Sequence, residues 1–368
     1  MKIRKLIIDT KSEKYPIIIG SNLVINLSKI LIKNGIKFKK CLIVIDKNVP
    51  KKHKNIIRKN LKTREIFFHH IKATETNKNQ IETNKILEIL LKKNFSRQDS
   101  LIAIGGGITG DISGYAASIF KRGLQFINIP TTLLAQVDSS IGGKTGINTK
   151  YGKNLIGNFY QPKLVISDIN FLKTLHEREV ICGYGEILKH SLISNIKFFQ
   201  FLNQNFKKIL NLESPFIEKT IYESCKIKKN IVEKDEKENN IRKFLNFGHT
   251  FGHAYEATLG FSKKLNHGEA ILLGMKTALN LSLEKKIISN QNYRIINKHM
   301  KNPKLSTNIK KYIKNKHINI VLSFMTKDKK NETDKINLIL LKKIGKPILQ
   351  KNFSKKYLKT FFQKQLMN

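Results

Sequence analysis

The sequence predicts two parts: an α/β domain with a mostly parallel sheet over residues 1–173, then a mainly α-helical domain over 174–368. Three observations predict it. In the first half, short β-branched apolar runs alternate with segments of helical periodicity, as strands joined by crossover helices do. A glycine-rich turn, GGGITGD, follows one of these runs and opens a helical pattern. After about residue 173 the alternation stops and long helical patterns take over.

Taken in order, MKIRKLIIDTKSEKYPIIIG is basic and then apolar, but Asp9 cuts the apolar run and no small-residue cleavage site follows. It therefore reads as two short strands joined by a polar turn. CLIVID (41–46), REIFFHH (64–70), SLIAIGG (100–106), LQFINIP (124–130) and KLVISD (163–168) read as further strands. QIETNKILEILLKKN (80–94) has apolar residues at helical spacing, and GDISGYAASIFKRG (110–123) reads as a helix of small residues. Later, residues 214–235 and 268–286 read as long helices, and KINLILLKKIGKP (335–347) as one late strand. With no internal repeat or low-complexity linker, two domains with a cleft between them are expected.

Composition narrows the function classes. An apolar share of 40 % suffices for two packed cores. No stretch reaches the roughly 18 unbroken apolar residues of a membrane helix. Cys41, Cys182 and Cys225 are scattered, without a CxxC, which implies buried thiols in a reducing compartment, the cytoplasm. The formal charge of +42 invites a nucleic-acid reading. Yet the lysines are spread along the whole chain among Ile and Asn, with no basic stripe carrying interleaved aromatics. Solvated surface is the better account.

IAIGGGITGD places Gly105, Gly107 and Gly110 in a G-x-G-x-x-G pattern, whose glycines let backbone approach a pyrophosphate at a helix N-terminus. That makes the first domain Rossmann-like, but no acid stands about 20 residues on, where the ribose partner of such a site belongs. Asp46, and Glu75 with Lys78, are the candidates for that job. Residues 129–154 are dense in polar and glycine residues. Gly143-Lys144-Thr145 looks like the end of a P-loop, but Asp138 stands where its first glycine belongs, so that reading fails. A binding surface on short turns, with Asp138, Lys144, Lys153 and Asn154, remains. In NFGHTFGHAYEATLG, His249 and His253 lie one helical turn apart on one face. Spacing alone leaves open whether both, one or neither holds a metal. GYGEILKHS adds Glu186, Lys189 and His190, and HGEAI puts His267 at a helix start. A carboxylate with two imidazoles suits a catalytic zinc-like ion.

In order and with similar spacing, GGGITGDISGYAAS, IPTTLLAQVDSSIGGKTGIN, GKNLIGNFYQP, GEILKH, LNFGHTFGHAYEA and HGEA resemble the 3-dehydroquinate synthases, from about Asp46 to Lys346. The resemblance implies a homodimer that binds NAD and one divalent metal, zinc or cobalt, between its domains. Carried over position by position, it implies Glu186, His249 and His267 as metal ligands, leaving His253 to face the substrate. For NAD it implies Asp46, Asn48, Glu75, Lys78, Gly106, Gly107, Ile108, Asp111, Thr131, Thr132, Asp138, Ser139, Lys144, Lys153, Thr174, Leu175 and Glu179. For the substrate it implies Asp138, Lys144, Asn154, Lys189, Lys228, Arg242, Asn246, His253 and Lys346, with Arg122 reaching across the dimer. Tyr184 departs from the leucine or methionine common at its position. LNHGEA carries one extra residue between the two histidine ligands, and IKATETNKN lacks the glycine usual before Glu75.

The implied substrate is 3-deoxy-D-arabino-heptulosonate 7-phosphate (DAHP), closed to a carbocycle with loss of phosphate in the shikimate pathway. Removing the C–H proton next to the leaving phosphate requires a neighbouring ketone, which explains a hydride acceptor that is restored each turnover. The lysines and arginine would balance carboxylate and phosphate. No single protein base is assigned, because the substrate's phosphate can take the proton. A metal-dependent polyol dehydrogenase of the glycerol type is the alternative. It would not need so many cations, and it would release NADH.

Overall fold

Leu6 and Ile8 alternate with more exposed neighbours, as does Tyr15 before the run Ile17–Gly20 becomes buried throughout, and the two segments pair antiparallel as β1 (Arg4–Asp9) and β2 (Lys14–Gly20). The computed structural model describes residues 3–61, 63, 65–262, 264–326 and 335–367. Arg64, in one expected strand, lies outside them. The chain then forms α1 (Leu27–Lys33), β3 (Lys40–Asp46), α2 (Lys51–Asn60), β4 (Glu65–Ile71), α3 (Gln80–Lys92), β5 (Ser100–Gly105), α4 (Gly107–Ile119) and β6 (Gln125–Pro130). Next come β7 (Lys144–Thr149), β8 (Gly152–Phe159) and β9 (Leu164–Asp168).

One sheet has the order β1-β2-β9-β6-β5-β3-β4, with every pair but β1–β2 parallel. Period-2 alternation sends Ile43, Ile45, Ile102 and Ile104 to one face, against Leu27 and Leu31 of α1 and Ile57 of α2. Leu42, Val44, Leu101 and Ala103 go to the other, against Ile86 and Leu90 of α3 and Ile112 and Ala116 of α4. Apolar residues on both strand faces are what a sheet covered on both sides requires. From β3 the chain moves outward to β4 and then back across to β5. The β3/β5 border is therefore a topological switch point, where doubly wound sheets bind ligands at their strands' C-terminal ends.

Three expectations change. Helix α4 begins at Gly107, not 110, because Gly106 already serves as its N-cap, and a short 3-10 turn, Phe120–Arg122, follows it. Residues 144–154, read as part of a surface of short turns, instead belong to the antiparallel hairpin β7–β8, which lacks the apolar alternation that would have marked it. The late strand is a hairpin, β10 (Ile336–Lys343) and β11 (Lys346–Phe353), turning at Ile344-Gly345.

Helix α5 (Glu177–Ser194) is followed by α6 (Ile196–Gln204), α7 (Phe206–Leu210) and α8 (Phe216–Lys234), then α9 (His249–Thr258), α10 (His267–Glu284), α11 (Asn290–Met300), α12 (Ile318–Thr326) and α13 (Lys355–Met367). Compact units do not follow a single cut at 173. One comprises residues 1–180 with 211–237, the other 181–210 with 238–368. Helix α8 belongs to the first because its side chains bond there: Glu233 Oε1 accepts from Asp9 N at 2.6 Å, and Cys225 Sγ donates to Gln136 O at 3.3 Å. Among the described residues no helix is long and apolar enough to cross a membrane. All three cysteines are buried and none is in a disulfide.

Candidate active site

In the first unit β5 is fully buried, whereas Gly106, Gly107 and Ile108 are partly exposed at the turn into α4. No side chain caps this helix, so its first-turn amides remain available to an anion. The turn is also crowded: a Cβ on Gly105 would stand 2.7 Å from Thr109 Cβ, and one on Gly107 would push Ser139 Oγ, 2.9 Å away, aside. Asp46, Gly106 and Thr131 stand at or just beyond the ends of β3, β5 and β6, which are neighbours in the sheet. Burial raises the Asp46 carboxyl above the usual range, although the Asn48 amide, 3.0 Å from its Oδ1, opposes this. Thr131 N donates to Gly105 O at 2.9 Å, and Thr132 Oγ1 accepts from Ala135 N at 3.2 Å.

The expected residues fall into small networks. Lys78, 5 % exposed, donates to Asp111 Oδ2 at 2.6 Å and also bonds Asn154 Oδ1. Burial pushes the Asp111 carboxyl up, with the Lys78 ammonium pulling it down. Glu75 lies 3.3 Å from Lys153 and accepts from Asn148 at 2.8 Å. Asp138 sits in a π-helical turn, Ala135–Ser139, where Lys228 Nζ donates to its carboxylate and its carbonyl, each at 2.6 Å. Thr174, Leu175 and Glu179 follow β9, with the local bonds Thr174 Oγ1 to Phe171 O and Leu175 N to Leu172 O, both 3.0 Å. Lys144, at the start of β7, is exposed, as is Arg122, whose φ is 64°.

In the second unit α5 contributes Glu186, 0 % exposed, and Lys189, 1 % exposed, joined as an i, i+3 ion pair. Among the described residues neither Glu186 oxygen has a hydrogen-bond partner of acceptable geometry. Its Oε1 lies 3.6 Å from His249 Nε2. His249, His253 and His267 each offer a nitrogen within 4.8 Å of the others, so the structure gathers all three imidazoles. Nδ1 of His249 faces Phe247 O at 3.4 Å, and Nδ1 of His267 faces Glu256 Oε2 at 2.9 Å. With Nδ1 spent on acceptors, each ring has Nε2 for another partner. A buried carboxylate lacking hydrogen bonds, beside such imidazoles, fits a divalent ion.

Close helix packing makes this cluster. Gly248 has φ +82°, and a Cβ on Gly274 would stand 2.0 Å from Gly248 O, so α9 meets α10 backbone to backbone. His249 begins α9 and His267 begins α10, and the Asn266 capping box fixes the latter start. Of the other expected residues, Arg242 is 2 % exposed, Asn246 donates to Glu238 at 2.7 Å, and Lys346 opens β11 next to Gly345, whose amide donates to Leu192 O at 2.8 Å. Lys263, in the longer loop between the histidines, lies outside the described residues.

Sequence reading missed Glu256, whose signal was a carboxylate seven positions after His249 on the same helix. It also left Tyr184 as an oddity. The Tyr184 hydroxyl donates to His299 Nε2 at 2.8 Å, and His299 Nδ1 donates to Asn203 Oδ1 at 2.9 Å. Burial pushes His299 down from 6.5 to about 4, so the folded chain refuses a proton that the unfolded chain accepts. Stability therefore falls as pH drops below 6.5 and levels off only near 4. The expected loss from this group between pH 7 and 5 is about 2 kcal/mol. Urea midpoints at the two pH values should differ less in His299→Gln than in the parent; an equal difference overturns the assignment.

Known proteins supply the family. The 3-dehydroquinate synthase N-terminal family model matches residues 68–182, and the C-terminal one matches residues 183–331. The chain is 57 % identical to a 3-dehydroquinate synthase of Pelagibacter ubique over 366 residues, 100 % of each chain. It is 42 % identical to that of Alkaliphilus metalliredigens, over 92 % of each. Its fold is similar to 2-deoxy-scyllo-inosose synthase in complex with carbaglucose-6-phosphate, NAD+ and Co2+, with TM-score 0.87, 24 % identity, and 98 % and 99 % of the two chains covered. With both family models in sequence along it, and with end-to-end identity to a named relative, the chain belongs to the 3-dehydroquinate synthase family.

Proposed function

We propose that this chain converts DAHP to 3-dehydroquinate and phosphate, using the residues above in divided roles. The 57 % identity over the full length to a 3-dehydroquinate synthase carries the reading, in preference to a polyol dehydrogenase. When bound, NAD supplies a transient hydride acceptor and a divalent ion supplies Lewis acidity. The residues about the glycine turn, with Asp46, Asn48, Glu75 and Lys78, would hold NAD, the first-turn amides of α4 being suited to an anionic group. Asp111, Thr131, Thr132, Ser139, Lys153, Thr174, Leu175 and Glu179 complete that set. Glu186, His249 and His267 hold the ion. Lys144, Lys189, Lys228, Arg242 and Lys346 offset substrate carboxylate and phosphate, and Asp138, Asn154, Asn246 and His253 orient its polar groups.

Purified protein with catalytic NAD+ and zinc or cobalt should release one phosphate per DAHP with no net NADH absorbance. A chelator should stop the release. NADH accumulating with glycerol, and inert DAHP, would give the dehydrogenase reading instead.

The chain works as a homodimer in the cytoplasm, in keeping with its three buried thiols outside any disulfide. Exposed Arg122 serves the partner's phosphate site. Mixing an Arg122→Ala chain with a Lys144→Ala chain, each inactive alone, should restore part of the activity. No recovery in proven heterodimers places Arg122 outside the neighbouring site.

A further inference from the structure

We infer that Glu256 is the positioning residue that sets His267 for metal binding, holding its proton on Nδ1 and strengthening Nε2 as a donor to the ion. The inference rests on His267 being a ligand.

Glu256 is 5 % exposed near the end of α9, and its Oε2 lies 2.9 Å from His267 Nδ1 across the α9–α10 contact. An ionised carboxylate only accepts, so a hydrogen bond at that distance puts the imidazole proton on Nδ1 and leaves the Nε2 lone pair outward. The His267 side chain is 37 % exposed, with the Glu256 carboxylate along one edge of its ring and the His253 ring stacked on its face. His249 differs: its Nδ1 faces a neutral carbonyl, Phe247 O, at 3.4 Å. A charged acceptor 2.9 Å away makes imidazole a stronger donor than a distant carbonyl does. His267 opens α10, so its imidazole is braced from α9, by the Glu256 carboxylate and the stacked His253 ring, and of these only the carboxylate fixes which nitrogen holds the proton.

The test is zinc affinity of the metal-free protein, read by competition with a chromophoric chelator, with thermal unfolding of the same samples. Glu256→Ala should bind zinc about 10–100-fold more weakly. Glu256→Gln, which can accept a hydrogen bond but carries no charge, should fall between it and the parent. His267→Ala separates the two readings. Parental affinity in His267→Ala removes the ligand assignment and this inference with it. Weakened binding there, with parental affinity in both Glu256 variants, overturns this inference alone. If Glu256→Ala does not fold, Glu256→Gln and the parent decide: nitrogen-15 spectra of the metal-free parent above pH 7.5 should show His267 protonated on Nδ1, and a proton on Nε2 refutes the proposal.

Discussion

His249→Ala should lose its bound metal almost completely, while His253→Ala keeps close to the parent's content and loses turnover. The two side chains share a face of α9, their ring centroids are 5.2 Å apart, and either ring could reach an ion. What separates them is the surroundings. His249 Nε2 lies 3.6 Å from Oε1 of the buried Glu186 carboxylate, whereas His253 is exposed and stacks on His267 at 5.6 Å between centroids. With Glu186, His249 and His267 as the ligands proposed above, removing one of three leaves too little coordination to retain zinc through dialysis. Elemental analysis of both purified variants decides the matter. Equal loss of metal would make the three imidazoles, and not the Glu186 set, the metal-holding group.

Gly274→Ala should be among the most damaging single-methyl additions in the second unit. Its Cβ would stand 2.0 Å from Gly248 O and 2.7 Å from Gly252 N, both backbone atoms that cannot rotate aside. The helices would have to separate, and overpacking of this kind costs about 1–3 kcal/mol. At roughly 2–4 °C per kcal/mol, the melting temperature should fall by several degrees. The same movement carries His249 away from His267, so zinc affinity should fall even in the folded fraction. Metal-free unfolding curves and chelator competition measure the two effects. A variant with parental melting temperature and zinc affinity would show that α9 and α10 do not need this contact.

Local chemistry was legible in the sequence. Continuous β-branched apolar runs marked β3, β5, β6 and β9 because a strand buried on both faces admits little else, while β1, β2 and β4 were marked by shorter apolar runs. The glycine turn, the helical pair His249 and His253, and the His267 helix start could be read because each depends on neighbours within one turn. The hairpin of β7 and β8 could not. Its residues include Lys144, Gly146, Asn148, Gly152, Lys153 and Asn154, and its pairing is sustained by backbone bonds that carry no side-chain period.

Placement across the chain was decided only by tertiary structure. A helical period shows that α8 has an apolar face but not which core accepts it. The answer came from Glu233, Cys225 and Lys228 reaching Asp9, Gln136 and Asp138. Spacing likewise put Lys78, Asp111 and Asn154 in separate motifs, and folding joined them around one ammonium. The same holds for Glu256 beside His267 and for Tyr184 beside His299. The sequence by itself determined which chemical groups the protein carries and which helix faces they occupy, since backbone geometry fixes these over a few residues. The tertiary structure decided which buried polar groups meet, because a buried donor or acceptor must find a partner and distant segments supply it.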